Sequence, residues 1–443
     1  MPTRLTAALT ALLTGLTVAL TTTAPARAAD VVTPGDFTGY GFDQCLAPTQ
    51  EKMTRWLNWS PFLAVGIYTS GKSRACRDQP NLTPAWVDRQ LRDGWRLLPI
   101  TLGPQASCAT RFPRYGNDPL IDATPGSNGR YTRARAQGQA EAVTAVEAAE
   151  RLGIPRGSTL WYDLEGYRTD RPACRESALA FLSGWSAKLH ALGWVSGVYS
   201  SAGSGIRHLD EARRSGRTDL VLPDQLWIAR WSGTPGRIND SSTTYLADDG
   251  WARARVHQYR GGHDETWGGV TINIDSNWLD LGRGSVAAPE RRCGGVRMDF
   301  RRFDTLRKGV ARPGQVSALQ CLLTERGTYR GPIDGTWDGA TWKAADTWRR
   351  SRGILDGGPF TPTHWVAVWA QGGRPALKVG SSGPAVRRLQ RALTAAGHRT
   401  GGSTGVFTAA DADAVTRWQR SVRKPRTGVF ATYHWAPLQR GRH

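Results

Sequence analysis

The 443-residue chain contains no C-x-x-C pair and no H-E-x-x-H, and its eight histidines are scattered. Those absences exclude a zinc ribbon, a thioredoxin-type dithiol and a zincin-type metal site, so neither a metal nor a cofactor is expected. Past residue 28 no stretch is apolar enough to span a bilayer, which argues against a membrane span. Acidic residues are scarce at one end. Residues 290–443 carry 27 Lys and Arg against 10 Asp and Glu, a net charge of +17, whereas residues 29–289 carry 29 against 27, a net charge of +2.

What is present begins with a leader. Residues 1–28, MPTRLTAALTALLTGLTVALTTTAPARA, have a basic start at Arg4, an apolar run and a small-x-small site at Ala26-Arg27-Ala28. That is the pattern of a secretory signal peptide, so the mature chain is expected to be secreted and cell-wall associated. In an exported protein the six cysteines read as disulfides. The basic C-terminal third then points to a wall polyanion rather than to nucleic acid.

Residues 283–299 read as a linker, and beyond it the chain repeats itself. Residues 319–365 align without a gap on 389–435, pairing Leu319-Gln320 with Leu389-Gln390, Gly327 with Gly397, Gly335 with Gly405, Trp348 with Trp418 and His364-Trp365 with His434-Trp435. Each unit opens with an amphipathic helix, carrying Val316, Leu319, Leu322 and Leu323 in the first and Val386, Leu389 and Leu393 in the second. Gly327 and Gly397 fit the position that ends such a helix. The repeated histidines read as packing residues beside tryptophan. Cys293 and Cys321 flank the start of the first unit, while the second has Arg391 in place of Cys321, so these two are expected to bond each other. Cys45–Cys76 and Cys108–Cys174 are the remaining expected pairs, each joining adjacent βα-loops.

Residues 36–282 alternate short apolar runs with helical patterns. Strands are predicted at 39–45, 63–70, 95–103, 159–167, 194–202, 226–233, 254–261 and 270–280, and clear helices at 131–152 and 175–192. Eight strands over this length fit an α/β fold of the TIM-type (β/α)8 barrel, with a doubly wound sheet as the rival and two small all-α three-helix domains following. In such a barrel, chemistry gathers at the C-terminal strand ends. Asp43 ends the first predicted strand, Asp163 and Glu165 the fourth, and Asp275 the eighth. The fourth reads LWYDLEGY, which sets two carboxylates on one strand face. Two like charges so placed push their pKa values apart, giving the division into proton donor and anion that glycosidic cleavage needs. Tyr162, Tyr199, Trp227, Trp231 and Tyr259 supply flat apolar faces suited to sugar rings. Two other patterns are discounted. Gly66 to Ser73 matches the phosphate loop, but its first glycine lies inside a strand and no helix follows Ser73. Gly401 to Gly405 matches G-x-S-x-G at a turn where the first unit has GPIDG.

On its motifs, G-F-D at 41–43, Y-D-L-E at 162–165, L-W-I-A-R-W at 226–231, H-Q-Y at 257–259 and N-I-D at 273–275, the region 36–282 resembles a glycoside-hydrolase-like barrel family of unassigned function, relatives of the family-25 muramidases. It departs from the muramidase opening D-[VI]-S, having Gln44-Cys45 after Asp43. The repeats, at 300–370 and 376–440, resemble the peptidoglycan-binding-domain-1 type of wall-binding module. The resemblance implies Glu165 as general acid, Asp163 as its partner and Asp43 and Asp275 as supporting carboxylates; Arg230, whose pairing with Trp231 is a second departure that changes the charge near the pocket, and Gln258 are expected beside the substrate-binding aromatics. It also implies that the substrate's own N-acetyl group can serve as nucleophile. The resulting expectation is a monomeric wall glycoside hydrolase whose partner is peptidoglycan or another cell-wall polymer. A non-catalytic glycan-binding protein on the same scaffold is the alternative. An amidase or peptidase lacks the required metal or Cys-His set.

Overall fold

The computed structural model describes residues 31–114, 116–236, 245–354 and 357–443; the leader read at 1–28 lies outside them. Eight strands close into a barrel in chain order: β1 (Phe37–Asp43), β2 (Ala64–Ser70), β3 (Arg96–Thr101), β4 (Thr159–Leu164), β5 (Val195–Ser201), β6 (Gln225–Ala229), β7 (Ala254–Trp267) and β8 (Val270–Leu281). Helices α1 (Gln50–Trp59), α2 (Pro84–Asp93), α3 (Thr132–Arg151), α4 (Pro172–Ala191) and α5 (Arg207–Arg214) fill the connections as far as β6. Closure of the sheet removes the doubly wound alternative.

One strand departs from strict (β/α)8 topology. β1 to β7 run parallel, but β8 is antiparallel to both β7 and β1. The reversal is made by Gly268 and Gly269, both at positive φ (60° and 79°), a conformation that suits two-residue hairpins. Because β8 comes back down the barrel, its middle and not its end lies beside the end of β1: Asp275 is in register with Asp43.

The strand sequences are apolar because both faces are covered, and β4 is buried along its whole length. Alternation sends Trp161 and Asp163 into the barrel and Tyr162 outward, where its ring packs on Phe181 and Trp185 of α4 at 4.7 and 5.2 Å. α3 and α4 cross in near contact. A Cβ on Gly138 would lie 2.0 Å from the Phe181 carbonyl oxygen, and one on Gly184 2.0 Å from that of Arg135.

The C-terminal helices are α6 (Pro313–Glu325), α7 (Gly339–Ser351), α8 (Pro362–Ala370), α9 (Pro384–Ala395), α10 (Ala409–Ser421) and α11 (Trp435–Gln439). The two repeats share one apolar core, in which Leu319, Trp348, Trp365 and Trp369 join Leu389, Trp418 and Trp435. The matched residues hold matched turns. The amide oxygens of Gln320 and Gln390 accept from the Gly335 and Gly405 N–H groups, each at 2.9 Å. His364 and His434 accept from the backbone N–H of Thr361 and Ala431 at 2.8 and 2.9 Å, so each caps the start of its helical turn. All three expected disulfides are formed: Cys45–Cys76, Cys108–Cys174 and Cys293–Cys321. Arg391, standing where the first repeat has Cys321, grips the same segment through Glu290 (2.6 Å) and Asp299 (2.8 Å).

The second repeat is docked on the N-terminal end of the barrel. The buried Lys378 ammonium donates to the carbonyls of Trp56, Ser60 and Phe62 at 3.2, 2.6 and 3.0 Å, around the C-terminus of α1. Ser285 donates to the Gly380 carbonyl at 2.6 Å, and Asn58 accepts from Thr432 N–H and Oγ1, each at 2.9 Å.

Candidate active site

The opposite, C-terminal end of the barrel carries four carboxyls. Asp163 points inward near the end of β4, and Glu165 follows just past the strand end. Gln105 fixes this step: its amide donates to the Asp163 carbonyl (2.8 Å) and accepts from the Glu165 N–H (2.9 Å). Asp43 at the end of β1 accepts from Asn277 Nδ2 at 2.7 Å. Gln258 of β7 bridges the other pair, donating to Asp43 at 3.4 Å and to Asp275 at 3.1 Å. Asp275 also accepts from the Gly262 N–H. Gly66 makes room for this layer, since a Cβ there would lie 2.5 Å from Asp43 Cβ; the glycine of the phosphate-loop pattern is a packing position.

Burial raises all four carboxyls above the usual carboxylate range, though unequally. Asp163 is buried and pushed well up, first by desolvation, then by the charges of Glu165 and Asp43. Tyr68 donates to its Oδ2 at 3.2 Å, while Oδ1 has no protein partner. Asp43 is pushed well up by desolvation and by Asp275. Glu165 is raised by desolvation but held back by Arg111 and Arg114. Asp275 is raised by desolvation against the Gly262 N–H. Both members of the Asp163–Glu165 pair are thus raised, first by burial, which favours a proton held at this pair.

Above the carboxyls lies an open cleft in two lobes. One, about 550 Å³, is bounded by Arg111, Arg168, Tyr199, Ser204 and Trp231. The other, about 250 Å³, is bounded by Asp43, Tyr68, Arg74, Arg114 and Asp275. Glu165 lines both, so it stands on the ridge between them.

The expected substrate-binding residues separate into three groups. Tyr199 and Trp231 line the larger lobe, and both donate to Gln258 Oε1 at 3.1 Å. Trp231 is 63% exposed, a broad apolar face at the rim. Trp227 is buried beneath, donating to Asn277 Oδ1 at 2.7 Å, and serves as floor. Tyr162 and Tyr259 are not in the cleft. Tyr162 donates to the Pro104 carbonyl at 2.6 Å on the helix side of the wall. Tyr259, one residue from the inward Gln258, packs near His257 with its hydroxyl pushed up to about 12 by burial. Arg230 stacks 5.8 Å from the Tyr245 ring. Tyr68, Gln105, Asn277, Arg111 and Arg114 contact or charge the carboxyls and were not anticipated. Period-2 reading of GIYTS, with Gly66 inward, would have found Tyr68.

Cys293, Cys321 and Glu325 bring potential metal ligands together, but the two sulfurs are bonded to each other. Among the described residues no helix is long and apolar enough to cross a membrane.

Residues 55–279 match the family model described as Rv2525c-like, glycoside hydrolase-like domain. Residues 382–430, within the second repeat, match the putative peptidoglycan binding domain. No curated protein matches the chain. Among solved structures, an uncharacterized B. stearothermophilus protein is similar at 20% identity and TM-score 0.36, over 54% of this chain and 95% of that one. The Mycobacterium tuberculosis Tat-secreted protein Rv2525c, in complex with L-tartrate, is similar at 14% identity and TM-score 0.36, over 54% and 95%.

Proposed function

This chain belongs to the Rv2525c-like, glycoside hydrolase-like family, and from that premise we propose that it is an exported cell-wall glycoside hydrolase of muramidase type, held to peptidoglycan or a related wall glycan by its C-terminal repeats. The observation that carries the reading is the position of Glu165, a partly exposed carboxyl raised by burial on the ridge between two lobes of one cleft. A glycan lying across both lobes sets a glycosidic bond over it.

The charge of Glu165 raises the deeper Asp163, so one proton shared between them gives one acid and one anion whichever oxygen holds it at rest. With substrate bound, Glu165 passes the proton to the leaving oxygen as the glycosidic bond breaks. The 2-acetamido oxygen closes on the anomeric carbon, and Asp163 stabilises the positive charge that develops. Water then opens the ring, returning a proton to Glu165. Tyr199 and Trp231 offer the sugar rings an apolar face.

A reducing-end assay on purified walls, with mass spectrometry of the fragments, tests this: wild type should release glycan fragments and Glu165→Gln should not. A second reading, a non-catalytic glycan-binding barrel, draws on the depth of Asp163 beneath Tyr68 and Glu165. Wall binding by the barrel with no fragment released would select it.

A further inference from the structure

Where the two repeats meet, far from the barrel mouth, a cavity of about 570 Å³ is bounded by Arg292, Arg326, Arg352, Arg374, Arg388 and the edge of Trp369. Among the described residues Glu325 is the one acidic residue lining it; Arg292 engages that carboxylate at 2.9 Å and Glu290 behind it at 2.9 Å. Three of the remaining four arginines are aimed by neutral oxygens. Arg326 donates to the Leu322 and Val368 carbonyls at 2.8 and 2.7 Å, Arg388 to the Gly373 carbonyl at 2.7 Å, and Arg374 to Gln439 Oε1 at 2.8 Å. Such partners orient a guanidinium without neutralising it. Burial, then the charges of Arg292, Arg352 and Arg388, push Arg326 down to about 10.

The cluster is not a by-product of the repeat. At the matched positions Arg326 faces Ala396, Arg352 faces Val422, and Arg388 faces Ala318. Each repeat contributes arginines that the other lacks, and they converge only because the repeats share a core. We propose that this inter-repeat cleft binds closely spaced phosphodiester groups of an anionic wall polymer. Guanidinium forks match phosphate oxygens bidentately. The four arginines beyond the ion-paired Arg292 suit a chain bearing an anion on every unit better than the more widely spaced carboxylates of a peptide-substituted glycan.

The inference rests on the wall-binding reading of the repeats, and the experiment separates the two. Full-length protein and the double variant Arg352→Gln/Arg374→Gln, both at exposed positions, are titrated with a soluble glycerol-phosphate oligomer, and sedimented with walls before and after hydrofluoric acid removes phosphodiester polymers. The expected result is oligomer binding at least tenfold weaker in the variant at unchanged melting temperature, and wild-type wall binding reduced by stripping. Equal oligomer binding by the two proteins, or wild-type binding indifferent to stripping, overturns the cleft assignment while leaving wall binding in place. Oligomer binding that is lost in the variant, with no wall sedimentation by either protein, supports the cleft and sinks the wall reading.

Discussion

Replacing Lys378 by methionine should uncouple the repeats from the barrel. The ammonium has three donors, and each lies on a main-chain carbonyl, of Trp56, Ser60 and Phe62. Trp56 keeps partners in the variant, because its carbonyl also accepts from the Ser60 N–H and Oγ. The Ser60 and Phe62 carbonyls lose their lysine donor in a dry interface. Each buried acceptor so deprived costs about 1–3 kcal/mol, so the contact weakens by about 2–6 kcal/mol. Methionine keeps the apolar stem, which isolates the polar loss from a packing defect. Wild type should unfold in denaturant with barrel and repeats coupled. Lys378→Met should show the repeats separating first, with faster proteolysis between 283 and 299. A variant with the same midpoint, a single transition and no new cleavage would refute the idea that this ammonium holds the interface.

Glu165→Gln should lower turnover by on the order of 10²–10⁴-fold in the reducing-end assay while wall sedimentation is unchanged, since the amide has no proton to give. Asp163→Asn should stabilise the fold at neutral pH. The raised Asp163 pKa means the folded state retains a proton that the unfolded chain releases, so wild-type stability falls as pH rises above the ordinary carboxylate range. Melting curves from pH 4 to 8 should slope less steeply in the variant. His434 works in the other direction. Its pKa is lowered from 6.5 to about 4 by burial, so its contribution is full above about pH 6.5 and lost as pH falls through 4, and His434→Asn should flatten that acid limb. Removing the Cys293–Cys321 bridge, which spans 28 residues, by Cys293→Ser with Cys321→Ala should cost about 3–4 kcal/mol in denaturant unfolding of the repeats.

Strand positions were legible in the sequence because buried parallel strands are short apolar runs between turn residues, and each observed strand falls within a few residues of its expected place. The direction of β8 was signalled too: Trp267-Gly268-Gly269-Val270 is a two-residue hairpin between alternating runs, a stronger cue than the eight-strand count. Tyr162 and Tyr259 were placed in the cleft by residue type alone. Alternation sends both outward once Asp163 and Gln258 are inward. Tyr68 of β2, Gln105 of the loop after β3 and Asn277 of β8 come from distant parts of the chain, and only closure of the barrel brings them to the carboxyls. The shared core of the repeats was hidden for the same kind of reason, because an internal alignment matches each unit to its copy and says nothing of what packs between them.

The repeats sit under the floor of the barrel while the carboxyls open at its ceiling. A molecule standing on one polymer therefore faces away from its own foothold. On the proposed reading, the strand held by the repeats and the strand entering the cleft lie towards opposite ends of the barrel. If the barrel cleaves and the repeats bind as proposed, this posture disfavours advance along a single chain by repeated grip and bite. Contact instead falls on whatever lies across the gap, at a spacing set by the body of the protein rather than by a flexible tether.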